Sequence, residues 1–197
     1  IAFSNAMFKT KRRELLSKLM INPDLNQIDH AFATIGLSYN KSMESDNFIK
    51  SPTSLYEEVF KLLQIDPSSV KLTKIKIEAL FHAHPPIFSS GFLKFYQHIS
   101  NFQCTKSITS NTAFISGKVI EDTIFHNRPD LEFNFMFFSD LVACAKPSIE
   151  MFNLVKANAK LLHSDSIDIR MLHIGDNAIT DFEGAKKFGI DAVLINI

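Results

Sequence analysis

The sequence has no tryptophan, only two cysteines, and no excess of charge of either sign in its 197 residues. Two cysteines without paired ligand spacing exclude a disulfide framework and a cysteine-rich metal site; Cys104 and Cys144 fall in segments expected to be strands, as reduced, buried thiols. Lysine plus arginine equals aspartate plus glutamate at 21 each, so no net field recruits nucleic acid or an anionic membrane, and a small-molecule partner is expected. No apolar run reaches the roughly 20 residues needed to cross a bilayer, and no charged-then-apolar signal region opens the chain, so the expected location is the cytoplasm. No GxGxxG opens a helix, which argues against a dinucleotide-dependent oxidoreductase. No internal repeat or low-complexity tract is present.

What is there suits a soluble globular domain with an insertion. Hydrophobic residues make up 46% of the chain, with 19 phenylalanines that are expected to pack a core rather than line a cofactor. Ser4-Asn5-Ala6 before Met7 has the form of a cleaved purification tag, so residues 1–6 are expected to carry little weight.

Two textures follow. From about Lys11 to Leu80 apolar residues recur at helical spacing: Leu15, Leu16 and Leu19, then Leu25, Ile28, Phe32 and Ile35, then Leu55, Val59 and Leu62. Asn22-Pro23-Asp24, the polar stretch Ser38 to Ser54, and Asp66-Pro67-Ser68-Ser69 are expected as turns or caps between these helices. Pro85-Pro86 closes the region, because proline disfavours helix in the residue before it.

Beyond it strands and helices alternate. Phe88, Phe92, Phe95, Tyr96 and Ile99 mark a helix, and Cys104 to Thr109 a strand closing in Ser110-Asn111-Thr112. Phe133 to Val142 is expected to be strand in part. A helix carrying Ile149, Phe152, Val155, Ala159 and Leu162 follows, then the strand Ile169 to Ile174, the turn Gly175-Asp176-Asn177, a helix to Phe188 stopped by Gly189, and the strand Ala192 to Ile195. Alternation at this spacing predicts a doubly wound parallel sheet of the α/β class, with helices on both faces and sites at the carboxyl ends of its strands.

Three polar clusters fall where that rule puts a site: Ser110-Asn111-Thr112 follows one strand, Lys146-Pro147 precedes a helix, and Gly175-Asp176 with Asp181 follows another strand. Each alone has an ordinary structural explanation, such as a helix cap for Ser110. Their order, together with Asp181-Phe182-Glu183-Gly184-Ala185 and Gly189, resembles the haloacid dehalogenase (HAD) superfamily, whose motifs run as Ser/Thr, then Lys-Pro, then GDxxxxD. The resemblance implies a Rossmann-like core over residues 1–12 and 84–197 and an inserted all-helical cap over 13–83. It also implies magnesium-dependent hydrolysis of a small phosphorylated metabolite. By that resemblance the Ser110 hydroxyl and the adjacent Asn111 backbone N–H bind phosphate with Lys146, which also neutralises the nucleophile, Asp176 holds Mg²⁺, and Asp181 fixes the lysine or a metal-bound water.

The family's first motif, DxDxT, supplies an aspartate nucleophile and an aspartate general acid. Met7-Phe8-Lys9-Thr10-Lys11 resembles the stretch just after it, which places Ala2 and Ser4 where the two carboxylates belong. Alanine cannot attack phosphorus. Two expectations follow: an enzyme whose first strand lies outside this sequence, truncated as well at a carboxyl end that stops at a strand, or a noncatalytic relative that keeps the scaffold for binding. Either way this chain is expected to be inactive, with weak or no metal affinity.

Two further groups are expected to be incidental. His82 and His84 lack a third ligand and fit a solvated hinge. Lys9, Lys11, Arg12 and Arg13 fit an exposed helix face.

Overall fold

The computed structural model describes residues 3–46, 48–163 and 169–195. The chain runs β1 (Phe3–Ser4), α1 (Ala6–Ser17), α2 (Leu25–Asp46), α3 (Pro52–Leu62), a short 3₁₀ turn (Pro67–Ser69) and α4 (Val70–Ala83). It continues β2 (Ile87–Phe88), α5 (Ser90–Ile99), β3 (Ser107–Ser110), α6 (Gly117–Asn127), β4 (Phe135–Phe138), α7 (Ser139–Val142) and α8 (Ile149–Leu162). It ends β5 (Leu172–Gly175), a wide π-type turn (Ala178–Glu183), α9 (Gly184–Lys187) and β6 (Asp191–Leu194). None of the described helices is long and apolar enough to cross a membrane.

Helices α1 to α4 form the helical part. α2 runs straight through Ser38 to Asp46, where turns are expected from the polar composition. The reason lies on its inner face: Ile28, Phe32, Ile35, Tyr39 and Met43 are all buried, so the apolar stripe continues at steps of three and four while the serines and lysines occupy the outside. α3 begins with Pro52, and the Ser51 side chain accepts from Ser54 N–H, a preorganised start. α4 ends at Ala83, just before Pro85. The helical core also takes in Ala145 and packs against Ala113, Phe114 and Ile115 of the α/β part, so the helices cover the loops after β3 and α7.

Asn5 is structural, contrary to the expectation for residues 1–6. Its side chain accepts from Phe8 N–H at 3.0 Å, capping α1, and donates to His84 O at 2.9 Å, tying the start of α1 to the end of α4.

The α/β part is built from three two-stranded pieces. β3 pairs in parallel with β4, from Ser107 opposite Phe135 to Ser110 opposite Phe138, and β5 pairs in parallel with β6. β1 pairs with β2 antiparallel. The parallel α/β architecture is thus as expected, but among the described residues the parallel pairs are not joined by backbone hydrogen bonds into one sheet. Each has its own apolar layer, Tyr96, Ile108, Ile124 and Phe138 on one side and Phe152, Ala185 and Ile190 on the other.

Several boundaries differ from the sequence reading. Strand β3 starts at Ser107, leaving Cys104 in an exposed loop, while Cys144 is buried but lies in a loop. Phe88 belongs to β2 and stacks on Phe92 at 5.3 Å, because Ser89 caps α5 behind it. The strand expected over Phe133 to Val142 gives way at Ser139 to α7. Helix α6 has no counterpart in the sequence reading; its buried positions include Gly117 and Thr123, which make a weak apolar stripe. His82 is solvent-exposed, as expected, but sits inside α4 with its Nδ1 2.7 Å from Thr123 Oγ1 of α6, so it ties two helices and is not a hinge.

Candidate active site

Ser110 ends β3, and its hydroxyl has no hydrogen-bond partner among the described residues, which leaves it free for a ligand. The two residues after it are spent on structure. Asn111 donates through Nδ2 to Lys146 O at 2.7 Å and accepts from Lys146 N–H at 2.8 Å, so its amide behaves as one rung of a ladder. Both ends of that side chain are occupied, so it clamps the backbone of Lys146; the phosphate contact expected of Asn111 is its backbone N–H, which the clamp does not use. Thr112 N–H donates to Ser139 Oγ at 2.9 Å and Thr112 Oγ1 to Asp140 Oδ1 at 2.7 Å. The same Asp140 carboxylate accepts Gly117 N–H, capping α6 where Ser116 does not.

Lys146 is buried, at 7% exposure, and its peptide bond to Pro147 is cis. Its Nζ donates to Thr109 O of β3 at 2.8 Å and to Asp181 Oδ1 at 2.5 Å. Asp181 is 5% exposed. Its Oδ1 also lies 3.0 Å from His173 Nε2 of β5, and its Oδ2 accepts Asn177 N–H at 3.1 Å. Burial alone pushes this carboxyl up; the hydrogen bond from His173, the charge and hydrogen bond of Lys146 and the Asn177 N–H outweigh it, and hold it well below the ordinary carboxylate range.

The chain Thr109, Lys146, Asp181, His173 therefore spans from β3 to β5, linking through side chains the parallel pairs that backbone bonds leave separate. His173 is the contributor that sequence reasoning missed. The available signal was a histidine two residues before Gly175 in an apolar strand, on the face that Gly175 shares.

Gly175 is required by contact. A Cβ there would lie 2.3 Å from both Cγ and Oδ2 of Asp181, so the glycine makes room for the carboxylate four residues into the turn. Gly184 does likewise for Pro147, whose Cβ would lie 2.8 Å away. Gly175→Ala is expected to destabilise the fold by about 1–3 kcal/mol through overpacking and to loosen the Asp181 to Lys146 contact. A urea melt showing an unchanged midpoint in this variant would refute that.

Asp176 points outward, with no hydrogen-bond partner among the described residues. Next to it Asn177 turns back to cap the π-type turn, its Oδ1 accepting from Ile179 and Thr180 N–H, and its Nδ2 donates to Glu44 Oε1 of α2 at 3.1 Å. The helical part thus touches the loop that carries Asp176.

Among the described residues no group of three or more histidine, cysteine or acidic side chains is placed to hold a metal. Asp181 has both oxygens engaged and acts as the anchor of Lys146. Of the two aspartates in this cluster, Asp176 is the one with an open carboxylate among the described residues. Mg²⁺ is commonly held by one or two carboxylates, several waters and a substrate phosphate, so this donor set does not fit a tight resident ion. Ala2 lies outside the described residues, as does the side chain of Ser4.

A parallel α/β core packed against a helical part is the HAD-like class of fold. The solved structures similar to this chain agree. YfnB from Bacillus subtilis, assigned as a HAD-hydrolase and bound to magnesium, matches with TM-score 0.71 and 17% identity over 98% of this chain and 83% of its own. A 2-haloacid dehalogenase from Pseudomonas syringae matches at 0.59 and 13% identity over 98% and 81%, and a HAD phosphatase from Thermococcus onnurineus at 0.55 and 18% over 96% and 77%. At these identities the likeness is one of fold. No protein-family model and no curated protein sequence matches the chain.

Proposed function

We propose that this chain is the scaffold of a HAD-type phosphohydrolase for a small phosphorylated metabolite, retaining the phosphate site but not the group that attacks phosphorus. The observation that carries this is the convergence of the free Ser110 hydroxyl, at the end of β3, with Lys146, whose Nζ sits against the adjacent Thr109 carbonyl. Hydrolysis of a phosphomonoester needs the transferring group positioned and its equatorial charge neutralised. Ser110 supplies a hydroxyl donor and Lys146 a cation, held in place by Asp181, His173 and the Asn111 clamp. Asp176 is the carboxylate of this cluster that would meet a magnesium ion if further carboxylates were supplied, and the ion would add neutralisation of phosphate charge. The helices over the loops after β3 and α7 exclude water and choose the substrate.

The reading of this chain as inactive rests on Ala2 and Ser4, at the positions where an aspartate nucleophile and acid belong. The expected result is no magnesium-dependent hydrolysis of a generic phosphate ester by the 197-residue chain, with inorganic phosphate still bound. Restoring both carboxylates together, Ala2→Asp with Ser4→Asp, is expected to give magnesium-dependent turnover that Asp176→Asn removes. Turnover by the unaltered chain, abolished by Asp176→Asn, would sink the inactive reading. Failure of the unaltered chain to bind phosphate, and of the restored one to hydrolyse, would favour the second reading of a structural relative, which the same two residues support.

A further inference from the structure

The basic run that opens α1 is not the exposed face it was expected to be. Arg12 turns inward, its guanidinium carbon 3.7 Å from the Phe32 ring centroid, while Lys11 pairs with Glu14 and Arg13 with Asp29. Unpaired cations lie instead at the far end of the helical part. Lys18, Lys61, Lys71 and Lys76 are exposed and form no ion pair among the described residues.

Helix packing brings them to one end. α1 and α4 run antiparallel, because Asn5 ties the start of α1 to His84 after the end of α4, and Phe8 meets Phe81 edge-on at 5.3 Å. The end of α1 therefore lies beside the start of α4. α3 reaches the same place through the short turn over Pro67–Ser69. One core cluster beneath takes in Met20, Leu63, Ile65 and Val70 from these segments.

Large apolar side chains stand out among the lysines. Ile21 is 93% exposed, Ile75 62%, Leu72 58% and Leu62 52%. On α4, Leu72, Ile75 and Ala79 recur at steps of three and four opposite the buried Val70, Thr73 and Ile77, with Lys71 and Lys76 on the two shoulders of the stripe. Scattered singly such residues are ordinary; gathered at one end with cations they make an interaction surface. The acids of this end, Asp24 and Asp66, accept from Asn26 and Ser68 N–H in their own turns, and the four lysines outnumber them.

We propose that this end of the helical part is a peripheral docking surface for an anionic lipid bilayer. The aliphatic side chains enter the headgroup boundary and the lysines meet the lipid phosphates and carboxylates. Composition favours lipid over the other occupants. Protein interfaces concentrate aromatic residues and arginine and are depleted in lysine, whereas this surface sets lysine among leucine, isoleucine and alanine. A second copy docked end to end would set the same lysines against one another. Lysine stems cover apolar surface while their charged heads stay wet, which suits a bilayer interface. The neutral net charge of the chain does not oppose this, because screening confines the attraction to charges within about 10 Å of the lipid.

The test is cosedimentation of the whole 197-residue chain with vesicles of phosphatidylcholine alone and of phosphatidylcholine with about 30% phosphatidylserine. The expected result is binding roughly tenfold or more tighter to the anionic vesicles, weakening as salt rises from about 0.1 M to about 0.5 M. Lys61→Gln and Lys71→Gln are each expected to weaken it roughly fivefold, and Ile21→Asp with Ile75→Asp to abolish it. All four positions are exposed, so these variants keep the parental melting temperature; Ile21→Ser with Ile75→Ser takes the place of the aspartate pair if that pair lowers it. Equal binding to both vesicles, or binding to neither, overturns the proposal. So does a concentration-dependent dimer that Ile21→Asp dissociates, which assigns the surface to a second copy. Tighter binding to polyglutamate than to anionic vesicles overturns it as well, and assigns the surface to an acidic protein.

Discussion

Lys146→Met is expected to lower the stability of the fold by about 3–5 kcal/mol, because it leaves the Asp181 carboxylate buried without its cation. For a chain of this size that corresponds to a fall in melting temperature of roughly 6–20 °C. The loss extends beyond the pair. Lys146 Nζ also holds Thr109 O, so the variant removes the side-chain link from β3 to the loop after β5. Phosphate binding should fall with it, since no other cationic side chain among the described residues bonds beside Ser110. A Lys146→Met protein that melts within a degree or two of the parent would show that His173 alone satisfies Asp181.

Asp181→Asn is expected to cost a similar amount at neutral pH, about 3–5 kcal/mol, for the converse reason: Lys146 is then the buried, unpaired charge. The variant also reports on acid stability. In the unfolded chain an aspartate titrates near pH ~3.9, while in the fold Asp181 is held lower, so the folded state binds fewer protons in that window. The contribution of Asp181 is therefore fully present above pH ~3.9 and is lost as the pH falls from there toward the depressed folded value. Stability of the parent should decline over that range more steeply than stability of Asp181→Asn, measured by urea melts at several pH values in one buffer series. Parallel pH profiles for the two proteins would mean that Asp181 is not the ionised partner of Lys146.

Two of the site's features explain why it was partly readable. The GDxxxxD spacing is a packing requirement, since only a glycine at 175 admits the Asp181 side chain, and the Ser110 position follows from a strand end that hydrophobic patterning marks, while Lys146 precedes a helix with a clear apolar stripe. His173, Asn111 and Asp140 were not readable in the same way. Their roles depend on which loop faces which, and Asn111 and Lys146 lie 35 residues apart in the chain. Arg12 shows the same limit, because a basic run on a helix gives no sign of which member turns inward until Phe32 is beside it.

Local pattern determined the α/β alternation, the helical insertion and the order of the polar clusters, because apolar periodicity and proline and glycine punctuation act over a few residues. Only the tertiary structure decided that α2 continues through its polar stretch, since the burial of Tyr39 and Met43 outweighs the composition around them. It decided too that, among the described residues, the strands stay in separate pairs, which depends on hydrogen bonds between segments distant in the chain. And it decided that Asp181 serves Lys146, because a carboxylate takes its role from the donors that surround it in space.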